Sequence, residues 1–150
     1  MTEDRAKELV DKHIRRLYKE LGICPDINVH VYYKSKHETC VDAQMQTDID
    51  SIETYREAYI TVFFEGLKDD EEFFIKCLVH ELLHIQLAPM QIVFDVWNRL
   101  LPKKQQKAFS KLFHHALERT VSGIEIGLNE GTLKNSNIQA TKKSKSNGKH

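Results

Sequence analysis

Two histidines and a glutamate sit at a spacing that permits metal chemistry. Residues 80 to 84 read His80-Glu81-Leu82-Leu83-His84. On a helix, residues four apart share one face at about 5–6 Å. Imidazoles at 80 and 84 can therefore reach one zinc ion at ~2.0–2.1 Å. Glu81 lies three residues before His84 and flanks the same ion from the side. A carboxylate there takes a proton from a zinc-activated water, as general base, and passes it to a leaving amine. Without a metal, two histidines and a glutamate on a core helix would be an expensive arrangement. Cys77 shares that face one turn earlier, and a lone cysteine there is most simply a small core residue.

Catalytic zinc commonly keeps three protein ligands and one open position. The longer pattern H-E-x-x-H-x-x-G-x-x-H is excluded, because positions 87 and 90 hold Leu87 and Met90. The third ligand must come from further along the chain. Glu118 is the only acid between Asp95 and Glu125, and it sits beside an apolar helical stripe. It is the natural metal ligand. His114 and His115 lie one turn before it and compete for that place. Either one is also suited to hydrogen-bond the ligating carboxylate or to stabilise an oxyanion. Adjacent helical residues point apart, so at most one of the pair serves. His30 and His37 fall on a strand and a loop and read as solvated.

The elements that position these groups follow from periodicity. Ala6, Leu9, Val10, His13, Ile14, Leu17, Tyr18 and Leu21 recur at helical steps over residues 3–21, capped by Thr2 and ended by Gly22 and Pro25. His13 on that stripe reads as a packed core histidine. The period then becomes two. Three strands are predicted, over Ile27–Tyr33, Val41–Gln46 and Ala58–Phe64. Lys34–Glu38 is short enough for a hairpin between the first two, and Thr47–Tyr55 reads as a polar loop. Asp69 and Glu72 have the spacing of a capping box for the motif helix. Its apolar face is Phe74, Leu78, Leu82 and Ile85, and Pro89 predicts an end near Leu87. A new helix from Pro89 carries Ile92, Val93, Val96, Trp97 and Leu100, with Trp97 expected in the core. After Pro102 a further helix bears Phe109, Phe113, Leu117, Val121 and Ile124. The whole is an α+β fold.

The 150 residues are 41% hydrophobic and 29% charged, which fits one soluble domain. No uninterrupted apolar run approaches the ~18 residues of a membrane span. The N-terminus lacks the pattern of a secretory signal. Three cysteines without a close pair read as free thiols in a reducing cytoplasm. The zero net charge conceals a partition. All 22 acids lie at or before Glu130, while residues 131–150 carry five lysines and no acid. Residues 1–130 form the expected domain and residues 131–150 a disordered basic tail. An acidic body gives no reason to expect a specific nucleic-acid ligand, and no membrane partner is expected.

The strand Ala58–Phe64, the helix with Cys77-Leu78-Val79-His80-Glu81-Leu82-Leu83-His84-Ile85, and the later helix with Glu118 resemble a zincin metallopeptidase. More narrowly they are similar to the minimal gluzincin-like metallopeptidases of phages and prophages, which use glutamate as third ligand. That resemblance implies a small zincin-like domain hydrolysing peptide bonds, with His80, His84 and Glu118 on Zn2+ and Glu81 as the catalytic base. It also implies that Ala58–Phe64 is an edge strand that pairs with an extended peptide or protein substrate. Host cytoplasm would be the site of action for a phage product. Two departures stand out. Glutamate zincins often carry an acid four residues after the ligand glutamate to orient a histidine, and here that position is Ser122. The SprT-like group instead uses a third histidine, which would be His114 or His115. His115 and Tyr59 are candidates for stabilising the oxyanion. The alternatives in function are a zinc hydrolase of a non-peptide substrate and a non-enzymatic interaction module with a structural zinc.

Overall fold

The computed structural model describes residues 1–38, 44–49, 52 and 56–146, with side chains up to Leu128. Cys40, and positions 41–43 of the second predicted strand, lie outside the described residues.

Helix α1 spans Glu3–Glu20. Thr2 caps it, its Oγ1 accepting from Arg5 N at 3.3 Å. Glu3 and Asp4 in the first turn and Lys19 in the last complement the helix dipole. Gly22 turns the chain away at φ +65°, where a side chain would be strained. The inner face of Ala6, Leu9, Val10, His13 and Leu17 is buried. His13 is a packed core histidine, and its Nε2 meets Glu71 Oε1 at 2.7 Å. Lys12 Nζ donates to the same oxygen at 2.8 Å, so one carboxylate ties α1 to the helix that carries the motif.

Three strands follow: β1 (Asn28–Lys34), β2 (Met45–Asp48) and β3 (Glu57–Phe63). Their order in the sheet is β1-β3-β2. β1 runs parallel to β3 with Val31 opposite Ile60, and β2 runs antiparallel to it with Thr47 opposite Ile60. This corrects two expectations. β1 and β2 do not form a hairpin, because β3 lies between them. The strand at Ala58–Phe64 is central and not an edge, because it is hydrogen-bonded on both sides. Its burial agrees: Ala58, Ile60 and Val62 are wholly buried against the helices. Thr47 and Asp48, expected in a loop, belong to β2, which is the edge strand beside the motif helix.

Helix α2 spans Glu71–Leu100. Its cap is Asp70, one residue later than expected, accepting from Phe73 N at 3.0 Å. The helix does not stop near Leu87; Pro89 lies inside it. Pro89 removes one backbone bond, but the apolar stripe of Ile85, Ala88 and Ile92 continues across it into the core. Packing therefore outweighs the local cost of about 3 kcal/mol. Burial of leucine-sized side chains at roughly 1.5–3 kcal/mol each is ample to do so. By length and mean hydropathy of 1.3 this helix meets the requirement for a membrane span, although its sequence has no unbroken apolar run. Its inner face is committed to the core: Phe74, Leu78, Leu82, Ile85 and Ala88 are fully buried.

Helix α3 spans Lys103–Ser146 and returns antiparallel to α2. Phe94 stacks on Phe113 with ring centroids 3.8 Å apart and also meets Phe109 at 5.0 Å. Asn98 Nδ2 donates to Ser110 Oγ at 2.9 Å. The backbone of α3 is helical through Ser146. Trp97, expected in the core, is 65% exposed. Helix α3 covers the Phe94 side of α2, and Trp97 lies on another side. The chain is thus an α+β domain with a mixed three-stranded sheet, one N-terminal helix and a long C-terminal helical hairpin.

Candidate metal centre

The hairpin register places the ligand candidates. Leu117 and Val121 are buried between the helices, and Glu118 follows Leu117 on the side that faces His80 and His84. His80 Nε2 and His84 Nε2 lie 3.3 Å apart. Glu118 Oε2 is 3.5 Å from His80 Nε2, and Glu118 Oε1 is 3.4 Å from His84 Nε2. A tetrahedral ion with ligands at ~2.0–2.1 Å has ligand atoms roughly 3.3–3.4 Å apart. The three side chains already form one face of such a tetrahedron, so the donor set fits zinc in both chemistry and spacing. Among the described residues, this is the one group of three such donors. Neither Cys77 nor His115 joins it. Cys77 Sγ instead contacts Gln44 Oε1 at 3.9 Å, and burial pushes its thiol up to about 11.

Burial lowers the pKa of His84, against an opposing pull from Glu118. The ring is thereby biased to the neutral form, which carries the lone pair a metal needs. His80 has a second carboxylate behind it. Glu125 Oε2 stands 3.5 Å from His80 Nδ1, leaving Nε2 directed at the centre. The resemblance places an orienting acid at position 122, which is Ser122 here; the carboxylate that meets His80 Nδ1 is that of Glu125, two turns after Glu118 and on the same face of α3.

Glu81 also has a partner that the sequence did not reveal. Thr47 Oγ1, on the edge strand, lies 2.7 Å from Glu81 Oε2 and 3.2 Å from the Glu81 carbonyl oxygen. One carboxylate oxygen is thus held by the sheet. A cleft of about 540 Å³ runs between β2 and the hairpin, and its lining includes Thr47, Glu81, His84, His114 and Glu118. A second cavity of about 390 Å³ continues on the other side of His80 and Glu81, toward Cys77 and Glu125. Of the paired histidines, His114 faces the cleft and His115 does not. Tyr59 is also away from it: its hydroxyl donates to Glu57, and its ring stacks on His30 and Tyr32. His37 lies near Gln46 and Phe63, outside the donor cluster.

Compared with family models, curated proteins and solved structures, the chain has no match, so the zincin resemblance rests on its own residues and geometry.

Proposed function

We propose that this chain is a zinc-dependent peptidase. The observation that carries the reading is the triangle of His80, His84 and Glu118 donor atoms, with sides of 3.3 to 3.5 Å, beside the Glu81 carboxylate in one cleft. Zinc bound there supplies Lewis-acid chemistry: it polarises a carbonyl and makes water nucleophilic near neutral pH. Among the described residues three donors meet, which supports an enzyme over a structural site closed by four protein ligands.

The chain's own residues divide the remaining work. Glu81 accepts a proton at Oε1 and returns it to the leaving amine, while Thr47 holds Oε2 and fixes the carboxylate plane. His114, in the cleft wall, is placed to donate to a developing oxyanion. The edge strand β2, which borders the cleft, takes the role first expected of Ala58–Phe64, with an extended peptide laid along it. Hydrogen bonding along β2 would set the substrate main chain beside Glu81.

The test is cleavage of a complex peptide mixture by zinc-loaded protein, read as new termini by mass spectrometry. New termini with wild type and a loss of roughly 10²–10⁴-fold with Glu81→Gln are expected, at unchanged zinc content. Equal cleavage by both proteins would defeat the assignment.

A further inference from the structure

The C-terminal half of α2 turns large apolar side chains to solvent. Leu100 is 79% exposed and Trp97 65%, with Met90, Val93 and Val96 each more than half exposed. Leu112, on the neighbouring helix, is 70% exposed, and Phe109 adds to the same hairpin. Together they leave open an apolar area on the order of the ~800 Å² per partner of a standard interface. That exceeds the largest patch of a typical monomer, about 300–600 Å².

The spacing specifies what covers it. Met90, Val93, Trp97 and Leu100 follow in steps of three, four and three, the seam of a packed helix pair. The steps read the same from either end, about Asp95. An antiparallel second copy related by a twofold axis would therefore set Met90 opposite Leu100 and Val93 opposite Trp97. Each large side chain then meets a smaller or flexible one, as interdigitated packing requires. A twofold interface needs such a self-complementary patch. Asp95, Asn98 and Arg99 lie off this stripe, so the seam itself carries no charge.

We propose that this face of α2 is the dimer interface of the protein, with a second copy of the same chain as its occupant. None of the four seam residues lines either cavity at the metal centre, so the cleft stays open in the dimer. The proposal stands whether or not the chain is a peptidase.

The test uses the full chain. Sedimentation equilibrium is expected to give twice the 17.5 kDa chain mass. Trp97 is the single tryptophan, so its emission reports the seam directly and shifts to the blue as protein concentration rises. Val93→Glu is expected to return the mass to that of one chain, with Trp97 emission red-shifted and circular dichroism unchanged. Leu100→Lys probes the other end of the seam, so the result does not hang on one variant folding. Monomeric wild type at every concentration would overturn the proposal. So would variants that remain dimeric, or a blue shift that occurs only with phosphatidylglycerol vesicles and marks a lipid surface as the occupant.

Discussion

Three donor atoms spaced like one face of a zinc tetrahedron do not assemble without support, and two carboxylates share the task. Glu118 closes the triangle from α3, and Glu125 stands behind His80 from the same helix. Such backing partners fix ring orientation, and their loss commonly weakens metal binding 10–100-fold. Glu125→Gln is therefore expected to loosen zinc by that factor while leaving circular dichroism unchanged, as measured by competition with a chromophoric chelator. Wild-type affinity in that variant would remove the role. His80, Glu81 and His84 were legible because their spacing is local to one helix. Glu118 was legible as an isolated acid on an apolar stripe. Thr47 and Glu125 were not, because their roles arise where a strand and a second helix meet α2. The two-residue alternation around Met45 ran into a stretch too polar to read as strand.

Between elements, the contact of α1 with α2 is tied by Glu71, which Lys12 and His13 hold through hydrogen bonds. Those bonds lower its carboxyl below the usual 4.5. The sign follows from linkage. A carboxyl depressed in the folded state contributes stability above its unfolded pKa and loses that contribution as pH falls through the folded value. Glu71→Gln should thus lower Tm near neutral pH, and the gap to wild type should close in thermal melts run below the carboxylate range. A constant gap at every pH would show the carboxylate charge to be irrelevant. Pro89 illustrates the opposite balance, a local rule overridden by packing. Pro89 is itself exposed, so Pro89→Ala restores a donor for the Ile85 carbonyl without disturbing the core, and a gain of ~1–3 kcal/mol in urea denaturation is expected. The order β1-β3-β2 was hidden for a similar reason. Alternation predicts that strands exist, and short loops suggest hairpins, but strand neighbours are chosen by which faces must be covered.

For the molecule as a whole, the metal centre and the exposed seam occupy different sides of one helical hairpin. Apolar periodicity announced both sides of α2 equally. It could not say which side the chain itself would cover, and that is why Trp97 was expected in the core and is found outside. The α+β class, by contrast, followed from the alternation of helical and two-residue periods along the chain. The proposed function rests on the His80, His84 and Glu118 cluster between the two long helices. The most direct measurement is zinc content of protein purified without chelator, for wild type, Glu118→Ala and His115→Ala in parallel. One zinc per chain in wild type and in His115→Ala, with loss in Glu118→Ala, is the expected result. Retention of zinc by Glu118→Ala, or no zinc in wild type after it is supplied, would contradict the assigned centre.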